Sequence, residues 1–305
     1  MRRGAALILC AAALLAPAPI SPALAHGVEP DAASDTSWRL AVAVPLLLAG
    51  WAYFYGLRRA WRRAGWGRGI RPLEAFSFGA GLLVLALTLA VPLHAWGRLR
   101  FAPHMLEHEL LTVIAAPLLA AGRPGVPYLL ALPLSWRRRL GAWLANGGPW
   151  GIWRRLAHPG TAWALHGAAL WLWHAPVLFE AALASEVVHY LQHLTLLGTA
   201  LLFWASLLPR RATNRVRIIA VFSLFTTTIQ TTLLGALLTL SPRIWYPSYG
   251  DPATPGGLSP LEDQQLAGLI MWVPMGAVFL LAALWVASGV LSHAGGARPQ
   301  DPLTR

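Results

Sequence analysis

Lysine is absent from this chain, and cysteine nearly so: Cys10 is the single example in 305 residues. Beyond that position there can be no intrachain disulfide, no thiolate ligand and no cysteine nucleophile. A metal ion would have to be held by histidine, methionine, carboxylate or water. Charge is scarce too. Charged residues are 12% of the chain, about half the share usual in soluble domains. The 24 basic residues, all arginine, outnumber 12 acids and give a formal charge of +12. In a soluble domain that excess would point to nucleic acid. Here the arginines sit in loops between apolar runs, so the excess reads as membrane topology and nucleic acid is not an expected partner.

What is abundant is apolar surface: 56% hydrophobic residues and 16 tryptophans, with a mean hydropathy of +0.53. Seven runs, 38–57, 75–96, 104–122, 159–182, 186–208, 216–240 and 266–291, approach bilayer-crossing length. Hydrocarbon offers no partner to an open backbone, so these runs must be helical. The expected fold is all-α, a polytopic membrane protein of about seven transmembrane helices in one bundle. Met1-Arg2-Arg3, an apolar run to Leu15 and Ala23-Leu24-Ala25 have the three regions of a secretory signal over 1–25. Cleavage there would leave His26 at the head of a short extracytoplasmic segment, 26–37, before a membrane domain over 38–291 and a cytoplasmic tail over 292–305. Within the domain, 123–158 is rich in proline and glycine, with Trp136, Trp143, Trp150 and Trp153 among arginines. It reads as amphipathic pieces lying on the cytoplasmic membrane surface.

Arginine sets the expected orientation. The loop after the first run carries Arg58, Arg59, Arg62, Arg63, Arg68 and Arg71. Those after the third and fifth carry Arg123, Arg137, Arg138, Arg139, Arg154, Arg155, Arg210, Arg211, Arg215 and Arg217. The alternate loops hold only Arg98, Arg100 and Arg243. Positive loops stay inside, so the mature N-terminus is expected outside and the C-terminus in the cytoplasm of a bacterial inner membrane.

That orientation gathers the histidines. His104 and His108 begin the third run, and His189 and His193 begin the fifth. Residues four apart share a helix face, where two imidazoles can hold one ion. One such pair could equally bond backbone or water; two pairs at one depth favour a site. His94 and His174 fall at the same outer level. The six are the expected metal ligands, with Asp263, Glu107, Met105 and Met271 as supporting groups. Glu109, Glu186, Met275, Gln264 and Gln265 lie at comparable depth. Imidazole suits copper, zinc and iron, and a thioether shifts preference to copper(I). Thr226, Thr227, Thr228, Gln230, Thr231 and Thr232 make the sixth run polar, through either helix–helix hydrogen bonding or a translocation path.

Several of these stretches resemble the CtaG-like (Caa3_CtaG) family of cytochrome c oxidase assembly factors. They are His104-Met105-Leu106-Glu107-His108-Glu109-Leu110-Leu111, Ala116-Pro117-Leu118-Leu119 with Gly122-Arg123-Pro124, Trp173-His174-Ala175-Pro176, His189-Tyr190-Leu191-Gln192-His193 with Leu202-Phe203-Trp204, and Glu262-Asp263-Gln264-Gln265 through Trp272. The resemblance implies a seven-helix, non-enzymatic protein that supports maturation of a haem–copper oxidase by handling copper. Its partners would be oxidase subunits, the lipid bilayer and a periplasmic copper chaperone. Three other readings use the same residues: a haem-binding electron carrier, with histidines from facing helices; a copper permease using the polar sixth run; and a membrane di-iron oxidoreductase, for which the usual HxxHH boxes are missing.

Overall fold

The computed structural model describes residues 32–90, 92–145, 151, 155–208, 213–250 and 257–294. The expected signal peptide, His26 and the tail beyond Ala294 lie outside these residues. Most of the described residues are helical, and there is no strand among them. In chain order they form α1 (Ala32–Ala64), α2 (Pro72–Ala90), α3 (Pro92–Leu99), α4 (Phe101–Glu109), α5 (Ala116–Ala121), α6 (Gly125–Ala131), α7 (Leu134–Ala145), α8 (Pro159–His174), α9 (Pro176–Ala184), α10 (Glu186–Leu207), α11 (Asn214–Leu240) and α12 (Pro260–Ala294).

Among the described residues, four helices are long and apolar enough to cross a membrane: Pro72–Leu89, Glu186–Leu207, Asn214–Leu240 and Pro260–Gly289. Two bent pairs raise the number to six: Phe101–Ala121 with Gly125–Ala131 (65°), and Pro159–His174 with Pro176–Ala184 (73°). The expected seven are therefore four to six by length and composition. α1, which covers the first expected run, is not among them. The second bend has a local cause. Proline disfavours the helical region for the residue before it, and Ala175, ahead of Pro176, is extended (φ −63°, ψ 127°). What reads as one run over 159–182 is thus two helices, with His174 at the break. His94 lies on the short α3, and Val91, between it and α2, lies outside the described residues.

The segment 123–158 also divides. Arg123 turns the chain through the left-handed region (φ 50°), and its guanidinium pairs with Glu74 at 2.9 Å. α6 then folds back on α1 instead of lying along a surface: Tyr128 is buried and donates to Ala49 O at 3.0 Å. Beside it Tyr53 stacks on Phe78, ring centroids 3.7 Å apart, and donates to Gly122 O at 2.7 Å. Among the described residues of the segment, α7 leaves Trp136 and Trp143 exposed; Trp150 and Trp153 lie outside the described residues.

α11 and α12 form the most extensive helix pair. A Cβ at Gly268 would stand 2.7 Å from Gly235 O, and one at Gly235 2.7 Å from Trp272 Cβ. Small residues let the two backbones close up, the usual basis of helix association in lipid. Among the threonines of α11, Thr239 reaches the neighbouring helix, its hydroxyl 3.4 Å from Gln265 O of α12, while most others turn inward on α11 itself. Thr226, Thr227, Thr228 and Thr231 each donate to the carbonyl four residues back, on Phe222, Ser223, Leu224 and Thr227.

Candidate metal centre

The HxxxH pairs keep their sequence-local geometry. His104 Nε2 lies 3.1 Å from His108 Nε2, and His189 Nε2 lies 3.0 Å from His193 Nε2. α4 and α10 set these pairs against each other, and α3 brings His94 over them. One ring nitrogen from each of His104, His108 and His193 falls within 4.8 Å of the others. All three are buried. Their rings stand steeply to one another, at 82° (His104–His108), 83° (His108–His193) and 76° (His104–His193). A second set, His94, Glu107 and His189, meets the same distance bound. Glu107 links the two: Oε1 is 3.0 Å from His94 Nδ1 and 3.7 Å from His193 Nδ1.

Tautomers follow from the hydrogen-bond network. The Tyr249 hydroxyl donates to Gly97 O at 2.6 Å, so its oxygen accepts from His104 Nδ1–H at 3.0 Å. That leaves the His104 Nε2 lone pair facing His108. Burial, with Asp263 and Glu107 nearby, pushes the Tyr249 phenol well above its usual range, so it stays protonated and able to donate. His174 Nδ1–H donates to Leu170 O at 2.7 Å, leaving its Nε2 bare. Gly97 permits the close approach of α3: a Cβ there would meet His104 Cα at 3.2 Å and Glu107 Oε2 at 3.4 Å.

Backbone features support the pairs. The helix carrying His104 and His108 passes into a π-helical turn, Leu110–Ala115, a distortion often found at functional sites. Trp204 Nε1–H of α10 donates to Thr112 O inside it at 3.0 Å, tying the two histidine-bearing helices together. Buried polar atoms without a hydrogen-bond partner collect here: Glu107 Oε2, His108 Nδ1, Glu109 Oε2, His174 Nε2, His193 Nδ1 and both amide atoms of Gln192. Such atoms are rare in folded proteins and call for an ion, a water or a function. A set of neutral nitrogens and one carboxylate, already aimed together, fits a transition metal.

Expected site residues fall into three groups. His104, His108, His189, His193 and His94 come together, and Glu107 lies beside them, its Oε1 3.0 Å from His94 Nδ1. His174 faces His108, ring centroids 6.4 Å apart, but belongs to neither set. It lines a small cavity with Met105 and Met271. Asp263 serves the backbone: Oδ2 accepts from Phe101 N at 2.7 Å and Oδ1 from Ala102 N at 3.3 Å, capping α4 from across the bundle. Gln264 likewise accepts from Trp245 N at 2.7 Å and staples the loop that carries Tyr249. Glu186 pairs with exposed Arg98. Sequence reasoning missed Tyr249, Gly97 and Gln192; the aromatic cluster Trp245-Tyr246-Pro247-Ser248-Tyr249 was the one available hint.

Long apolar helices around a buried histidine–carboxylate cluster define a helical membrane protein. The family model of the caa3-type cytochrome c oxidase assembly factors (Caa3_CtaG) matches residues 51–292. The chain belongs to that family. It is also 28% identical over 254 residues to uncharacterized proteins of Mycobacterium bovis (Mb0105) and Mycobacterium tuberculosis (MT0111), the match covering 78% of this chain. It spans 37% of the length of those relatives. No solved structure matches.

Proposed function

We propose that the protein supports maturation of a haem–copper cytochrome c oxidase by holding copper, as cargo, at the imidazoles of His104, His108 and His193. The observation that carries this reading is the convergence of three buried imidazole nitrogens from two helices within 4.8 Å. Neutral imidazoles suit copper. A set without a carboxylate suits the monovalent ion, because less charge is left uncompensated in a medium of low dielectric. Copper is also what a haem–copper oxidase needs inserted. His94, Glu107 and His189 border this position and orient its rings.

In this reading α1 is a seventh span of a bundle in the bacterial inner membrane. The arginine-rich loops lie in the cytoplasm, and the histidine end faces outward, where a periplasmic chaperone can load it and an oxidase subunit can unload it. The cavity beside His108 and His174 is about 10 Å³, which suits an ion or a water and not a porphyrin. Thr226, Thr227, Thr228 and Thr231 of α11 bond to carbonyls of their own helix, which lends the permease reading no support.

The test is purification in mild detergent with metal analysis and a visible spectrum, set beside a His104→Ala/His108→Ala/His193→Ala variant. Copper in the parent and none in the variant, with loss of oxidase copper in cells carrying the variant, is the expected result. A haem band, or equal copper in both proteins, would remove this assignment.

A further inference from the structure

Every methionine beyond Met1 in a chain that has 4 lines one cavity. Met105 comes from α4, and Met271 and Met275 from α12. All three are buried to 1% exposure. His108, His174, Glu109 and Thr112 share the same walls, with Leu170 and Leu196 closing the space. The volume, about 10 Å³, is that of about one water-sized sphere. Methionine commonly fills gaps in cores, and three from two helices in one apolar pocket would need no further account. This pocket is not wholly apolar. His174 Nε2 and Glu109 Oε2 sit in its walls with no hydrogen-bond partner, and the His174 tautomer leaves that nitrogen as a lone pair. Thioether and imidazole together form a soft donor set, and softness selects copper(I). Without cysteine beyond Cys10, thioether is the sole soft sulfur this chain can offer there.

We propose that this cavity is a second copper(I) position, distinct from the three-histidine position and joined to it by His108, which borders both. Thr112 and Met275 lie further along their helices than the residues around His94 and Tyr249, so the cavity is deeper in the bundle. An ion reaching it exchanges imidazole for thioether donors around a shared histidine. The ion keeps its charge, so no oxidant or reductant is consumed. This inference rests on the copper reading of the three-histidine position.

The experiment loads the detergent-purified full chain with copper(I) under an excess of reductant. Bound copper is counted, and X-ray absorption is recorded at the copper edge for methionine-labelled and selenomethionine-labelled protein. A Met105→Leu/Met271→Leu/Met275→Leu variant is run alongside. Leucine nearly conserves methionine's volume, so the variant should fold, and the selenium measurement needs no mutation at all. The expected result is about two copper ions per chain, falling to about one in the variant, with selenium among the copper neighbours of the labelled parent. About one copper in both proteins, with nitrogen neighbours alone, would overturn the second position and leave the first standing. No copper in either would remove both readings.

Discussion

The Tyr249 hydroxyl lies 3.0 Å from His104 Nδ1, across 145 residues of sequence. It is the one described contact by which the loop between α11 and α12 reaches a ring of the first HxxxH pair. It also sets which nitrogen of that ring is bare.

Tyr249→Phe should therefore weaken metal binding without emptying the site. Losing an orienting partner of a ligating histidine typically costs 10–100-fold in affinity. The two lost hydrogen bonds, to Gly97 O and from His104 Nδ1, should take about 1 kcal/mol each from stability. A copper(I) competition titration beside a thermal melt separates the two effects. Unchanged affinity would mean that His104 does not ligate through Nε2.

Asp263→Ala should do the reverse. The carboxylate caps the first two backbone N–H groups of α4, and hydrogen bonds to a charged group contribute about 1.5–3 kcal/mol each. We expect a fall in melting temperature with metal stoichiometry retained near that of the parent. A loss of metal at unchanged stability would instead make Asp263 a supporting group of the metal site.

Gly97→Ala tests the seating of α3. The added methyl would stand 3.2 Å from His104 Cα and 3.3 Å from His104 N, so α3 must shift outward. Crowding of this kind costs about 1–3 kcal/mol. It should also lift His94 from Glu107, now 3.0 Å away. Metal affinity and melting temperature should fall together, the first measured by titration and the second by circular dichroism.

Metal removal should be visible as stability. An ion that binds only the folded chain raises stability by about 2.7 kcal/mol at 100 times its dissociation constant. A copper(I) chelator should thus lower the melting temperature of the parent and leave the His104→Ala/His108→Ala/His193→Ala variant unmoved. An equal shift in both would place the bound copper elsewhere.

Much of this was written locally. Spacing of four residues on a helix is enough to bring His104 to His108 and His189 to His193, because the α-helix places such residues on one face whatever surrounds it. Proline explains the break before Pro176 after the fact, yet hydropathy alone runs through it. The threonines of α11 show a different limit. Polar composition signals that hydroxyls need partners, but not whether the partner is the neighbouring helix or, as here, the helix's own carbonyl four residues back.

Sequence by itself determined an all-helical chain of long apolar runs, the two histidine pairs and the family they mark. Each of these depends on composition or on contacts within a single turn of helix. Tertiary structure alone decided that His193 turns to His104 and His108 while His189 turns to His94 and Glu107. It also made Asp263 a helix cap, placed Tyr249 behind His104, and drew the three methionines to one cavity. Those are relations of rotation and depth between helices. A rotation of one helix by a single residue position, about 100°, would undo any of them without changing the hydropathy pattern.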